Sequence, residues 1–198
     1  MKKTLNLIGI VLSVLVVFGV ARADQIALTA TLTGTQEVPP NASPGIGSAL
    51  VVVDTVTNLL TVNVSFSGLL SPTTASHIHC CTPPGANAIV ATAVPTFPGF
   101  PLGVTTGTYL QTFDLTLAST YNPAFIAAHG GTVAGAQAAF IAGLVTGQTY
   151  LNIHTTQFPG GEIRGQLLQA VPEPATLLLL ATGFMGAAGA LRKRRRHQ

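Results

Sequence analysis

Three histidines stand closest to chemistry in this chain. His77 and His79 are separated only by Ile78. On a strand they project to one face and Ile78 to the other, and such an i, i+2 pair of imidazoles can chelate one metal ion. His154 shares a strand face with Tyr150 and Asn152, and it supplies a third imidazole if its strand lies beside that of His77 and His79. Glu162, across the turn at residues 158–161, is then placed to orient His154 as an outer carboxylate. Imidazole ligands suit zinc or copper. The same residues also have a structural reading, in which imidazoles bridge loops to strands and Glu162 forms a partly exposed ion pair with Arg164.

Cys80 and Cys81 directly follow His79 and are the only cysteines. In an oxidising compartment they have three outcomes: a bond to each other, bonds between chains, or soft ligation added to the His77 and His79 site. The Thr82-Pro83-Pro84-Gly85 turn beside them favours the vicinal bridge as a structural clip. His129 ends a short helix, where a cation suits the dipole, and reads as a cap.

Other chemistry is poorly supported by residue type. The chain has no Gly-x-Ser-x-Gly elbow, no phosphate-binding glycine loop and no paired acids at useful spacing. A glycoside hydrolase lacks its second carboxylate, because Glu162 has no partner acid. The net charge of +3 is carried by the chain ends. Between Asp24 and Val171 the one cation among Lys and Arg is Arg164, set against Asp24, Glu37, Asp54, Asp114 and Glu162. Nucleic-acid binding needs clustered cations, so it is disfavoured.

The elements that must position the histidines read mostly as strands. Ile26, Leu28, Ala30 and Leu32 alternate with Ala27, Thr29 and Thr31, and Leu60, Val62, Val64 and Phe66 alternate with Thr61, Asn63 and Ser65. A continuous apolar run at residues 49–53 and a turn at 54–58 make the second of these strands part of a hairpin. Further strands fall at residues 108–116, 150–154 and 162–168. The Pro- and Gly-rich stretch 95–103 is a loop. Asn122 caps a helix opened by Pro123 and stopped by Gly130 and Gly131. Thr132 caps a second, with Val133, Gln137, Phe140, Ile141 and Leu144 on one face.

The ends describe the protein's passage out of the cytoplasm. Residues 1–23 read as a secretory signal peptide: Lys2 and Lys3, an apolar stretch over 5–20, then Ala21-Arg22-Ala23 ahead of Asp24, with cleavage favoured over a retained anchor. Residues 171–198 contain Pro172-Glu173-Pro174, an apolar run at 175–191 and the basic block Arg192 to Arg196. A helix of about 17 residues rises roughly 26 Å, enough to serve as a transmembrane helix, with the bases cytoplasmic. This tail resembles the PEP-CTERM sorting signal of Gram-negative bacteria. The resemblance implies recognition by an exosortase, removal of the tail, and delivery to the cell surface or exopolysaccharide matrix of a biofilm. A plain membrane anchor is the alternative.

Between those ends, residues 24–170 form one domain of ordinary size. The segments Leu28 to Pro40 (LTATLTGTQEVPP), Ala75 to His79 (ASHIH) and Tyr150 to Leu167 (YLNIHTTQFPGGEIRGQL) resemble the signature blocks of the CHRD domain. The resemblance implies an immunoglobulin-like antiparallel β-sandwich, here with a short helical insert, and supplies no catalytic residues. The expected function is that of an exported, non-enzymatic binding or structural module without a cofactor. Its expected partners are signal peptidase, exosortase and extracellular polysaccharide or surface proteins. The alternative is a small envelope metalloprotein holding zinc or copper at His77, His79 and His154.

Overall fold

The structure, a computed structural model, describes residues 25–170. The expected signal peptide with its Ala23–Asp24 junction, the Pro172-Glu173-Pro174 triplet and the transmembrane helix at 175–191 lie outside them. No helix among the described residues is long and apolar enough to cross a membrane.

Nine strands are formed among the described residues: β1 (Gln25–Thr33), β2 (Ile46–Asp54), β3 (Leu59–Ser67), β4 (Thr73–Cys80), β5 (Ile89–Val90), β6 (Gly107–Asp114), β7 (Thr149–Thr155), β8 (Ile163–Gln166) and β9 (Leu168–Gln169). They hydrogen-bond in the order β5-β4-β7-β8-β1-β2-β3-β6, with β9 also on β1. All pairings are antiparallel. The mainly β, antiparallel reading therefore holds, but the two sheets of an immunoglobulin-like sandwich are joined here as one curled sheet. The joint is at the end of the chain's strand set. The strand expected over residues 162–168 divides, so that β8 pairs with β7 and touches β1 at Thr33, while β9 pairs with Leu28 and Thr29 of β1.

Period two explains which side of each strand faces the core. Leu28 and Leu32 of β1, Val51 and Val53 of β2, and Leu60, Val62 and Val64 of β3 are fully buried. Each such side chain contributes about 1.5–3 kcal/mol by leaving water. The run at 49–53, apolar on both sides, is nonetheless buried on only one, and Leu50 faces outward at 42 % exposure. The hairpin turn closes because Asp54 Oδ1 accepts from the amides of Val56 and Thr57, and Asn58 adopts a left-handed φ of 58°.

Two helices close the core. Helix α1 (Pro123–Ala128) starts where the Asn122 side chain accepts from the Ala124 amide, and α2 (Val133–Val145) where Thr132 accepts from Gly135. Ala136, Phe140 and Leu144 of α2 are fully buried in the same cluster as Ile78, Leu151, Ile153 and Ile163 from β4, β7 and β8. Helix α2 comes close to the sheet at Gly143, where a Cβ would fall onto Cys80 Sγ. The inner face of β4, β7 and β8 is thus apolar and helix-covered. Their outer face is polar and covered by loops.

Candidate metal centre

Register places the polar groups of that outer face. On β4, Ala75 pairs with His154 of β7, His77 with Asn152, and His79 with Tyr150. On the far side of β7, Asn152 pairs with Arg164 of β8. Two-residue alternation therefore sets His77, His79, His154, Asn152, Tyr150 and Arg164 side by side on one surface. His77 is 6 % exposed, His79 8 % and Asn152 2 %.

Each imidazole is pinned from a loop. His77 Nε2 donates to Pro95 O at 2.7 Å, His79 Nδ1 to Ala88 O at 2.8 Å, and His154 Nδ1 to Pro159 O at 2.9 Å. A carbonyl oxygen only accepts, so these bonds determine which nitrogen of each ring carries the hydrogen. Burial holds all three rings neutral, pushing His77 and His79 down to about 4 and His154 down as well. The remaining nitrogens, His77 Nδ1, His79 Nε2 and His154 Nε2, are then lone-pair atoms. His77 Nδ1 and His154 Nε2 face each other at 3.3 Å, and His79 Nε2 is buried with no hydrogen-bond partner.

One ligand atom from each ring lies within 4.8 Å of those of the other two. Tetrahedral zinc with Zn–N bonds of 2.0–2.1 Å holds its ligand nitrogens about 3.3 Å apart. The His77–His154 pair already has that spacing, and the ligand atoms of all three rings lie within 4.8 Å of one another. A carbonyl on the distal nitrogen is the usual outer contact of a metal-bound imidazole, and it sets ring orientation as well as basicity.

The surroundings are aromatic and cationic on one side. Tyr150 stacks on His79 with ring centroids 4.6 Å apart, and the Arg164 guanidinium lies 3.4 Å over the opposite face of Tyr150. Arg164 also donates to Ala86 O and Asn87 Oδ1, and Tyr150 OH accepts from the Ala88 amide. These bonds clamp the 83–88 loop over His79. Glu37, from the loop after β1, is buried nearby, and desolvation pushes its carboxyl up to about 7 against the pull of Arg164.

Several sequence expectations are corrected. Glu162 does not orient His154; Pro159 O does. Glu162 instead accepts from Ser43 Oγ, the Leu70 amide and Thr155 Oγ1, and Thr155 faces the side of β7 opposite His154. Glu162 and Arg164 are both buried and take separate partners, so they form no exposed ion pair. Cys80 points to the core side of β4, away from the histidines, and its sulfur is bonded to that of Cys81. Neither cysteine is positioned as a ligand. His129 caps α1 through a bond from Nδ1 to Phe125 O. Sequence reading placed Asn152 on the histidine face but gave no role to it, nor to Glu37. Alternation with Tyr150 and His154 is a local signal for Asn152, whereas nothing local points to Glu37.

Comparison with known proteins identifies two segments of the chain. The CHRD domain matches residues 28–167, which include every strand bearing the histidine cluster. The PEP-CTERM protein-sorting motif matches residues 170–196. No curated protein and no solved structure matches the chain.

Proposed function

This chain belongs to the CHRD domain family and ends in a PEP-CTERM sorting motif, and from its histidine cluster we propose a metal-binding protein of the cell envelope. The sorting motif makes it an exported protein processed by exosortase. In our reading its mature domain acts at the cell surface or in the extracellular matrix, without enzymatic activity, and holds one zinc or copper ion through His77, His79 and His154.

One observation carries the reading. Each imidazole does bridge a strand to a loop, as a purely structural role requires, but that role uses one nitrogen per ring. The second nitrogens of His77 and His154 face each other as lone pairs in a part-buried place and that of His79 is buried without a partner, an arrangement that costs free energy until a cation occupies it.

The test is metal content. The full chain, purified in mild detergent without a metal-affinity step, should contain about one equivalent of zinc or copper, or take it up on titration after chelation. Failure to bind either ion would return the protein to a hydrogen-bonded structural module.

A further inference from the structure

Three imidazoles leave one position of a four-coordinate ion open, and the cluster has a fourth buried acceptor beside them. Asn152 sits between Tyr150 and His154 on β7 and directly across from His77. Its Oδ1 is buried and makes no hydrogen bond. The Asn152 side chain lies against His79, where it would favour a protonated ring. With His79 Nδ1–H committed to Ala88 O, however, Nε2 and the amide oxygen are both acceptors, and neither has a partner.

At Gly161 an added Cβ would fall onto Glu37 Oε1 and come within 2.9 Å of Asn152 Nδ2, so the carboxylate and the amide nitrogen crowd the same small space. The Asn152 Nδ2 edge lies on the Glu37 side and the amide's side chain lies against His79. Glu37 Oε1 is itself buried and makes no hydrogen bond. Four neutral ligands bring no charge to offset a dication in a buried site, which favours a nearby carboxylate. Glu162 is committed to Ser43, Leu70 and Thr155, and Asp54 and Asp114 bond the turns that follow their own strands. Among the described acids, Glu37 is the one left for that task.

We propose that Asn152 Oδ1 is the fourth ligand of the centre, completing a shell of three imidazoles and one amide oxygen, with Glu37 as the nearby buried counter-anion. The proposal rests on the three-histidine reading. An amide oxygen is a known weak axial partner for copper in sites of two imidazoles and a thiolate. The shell is then closed by protein, which suits holding an ion more than activating a substrate on it.

Copper(II) titration of the full chain, followed by electron paramagnetic resonance, tests this. Asn152→Ala should weaken copper binding about tenfold or more and shift the copper hyperfine splitting. Asn152→Asp keeps an oxygen in place, so it should bind at least as tightly with an altered spectrum. Glu37→Gln should lose about 10- to 100-fold in affinity while keeping the parent's ligand set. Circular dichroism checks that each variant retains its sheet. Parent-like affinity and spectrum in Asn152→Ala would overturn the fourth ligand while leaving the three histidines standing. If the alanine variant does not fold, an unchanged spectrum in Asn152→Asp overturns it equally. A parent that binds neither copper nor zinc removes the histidine centre and this inference together.

Discussion

His77 Nδ1 and His154 Nε2 lie 3.3 Å apart, close enough for a hydrogen bond, yet each ring has already placed its hydrogen on the opposite nitrogen to reach a proline carbonyl. Two lone pairs therefore face each other in a part-buried site. A cation relieves that contact, and so does a proton. Metal and acid should compete for the same atoms.

Acid sensitivity of the metal-free protein follows. His77 and His79 fall from an ordinary 6.5 to about 4 on folding, so between these values the unfolded chain binds more protons than the native one. Their contribution is fully present above pH 6.5 and is lost as pH falls towards 4. Glu37 works against this: raised from 4.5 to about 7, its contribution is present below 4.5 and lost as pH rises through 7. Denaturation midpoints of the metal-free protein should therefore drop between pH 6.5 and 4, and more steeply in Glu37→Gln. A flat profile in both proteins would mean that the rings are not held neutral by burial.

Replacing His154 with Ala separates its two roles. Metal affinity should fall by about tenfold or more through the lost ligand. Metal-free stability should fall by no more than about 0.5–1.5 kcal/mol, because the bond to Pro159 O is exposed and water takes the donor's place. Calorimetric titration and chemical denaturation of the same sample read the two effects independently. A stability loss without any change in metal uptake would assign His154 to the loop alone.

Gly161 and Gly160 offer a matched pair. Gly161 has a φ of 131°, and its Cβ would collide with Glu37 and crowd Asn152, whereas a Cβ on Gly160 meets nothing within 4 Å. Gly161→Ala should destabilise the fold by about 1–3 kcal/mol and weaken copper binding. Gly160→Ala should stay within about 0.5 kcal/mol. Equal effects of the two substitutions on thermal melting would deny the crowding at Gly161.

Cys80 and Cys81 should be oxidised within one chain. Non-reducing electrophoresis should show a monomer that ignores a thiol probe, since the sulfurs are paired beneath Gly143 of α2. A dimer released by reductant would point to bonds between chains. Gly143→Ala should cost about 1–3 kcal/mol by overpacking against these sulfurs, read as a lower unfolding midpoint.

Processing is testable by mass. The surface form should begin near Asp24 and lack residues 175–198, as the Ala21-Arg22-Ala23 site and the sorting motif at 170–196 require. A surface form that keeps its basic end would replace sorting by a simple membrane anchor.

Local rules made the strands, the helices and half of the site legible from the sequence. Alternation placed Leu28 and Leu32 inward, and Asn122, Pro123 and Thr132 set the helix starts, because strand period and capping depend on residues a few positions apart. The shared face of His77 and His79 follows from the same geometry. Only tertiary structure decided that β4 pairs with β7 in the register bringing His154 to them, that β8 and β9 join the strands into one curled sheet, and that Glu37 arrives from a distant loop. Glu162 shows the reason most clearly. Gly161, in its left-handed conformation, turns the chain just before β8, so a carboxylate two residues from Arg164 ends on Thr155's side of the sheet. Side-chain period is a property of neighbours along the chain, whereas register and loop closure are chosen by contacts between residues far apart in it.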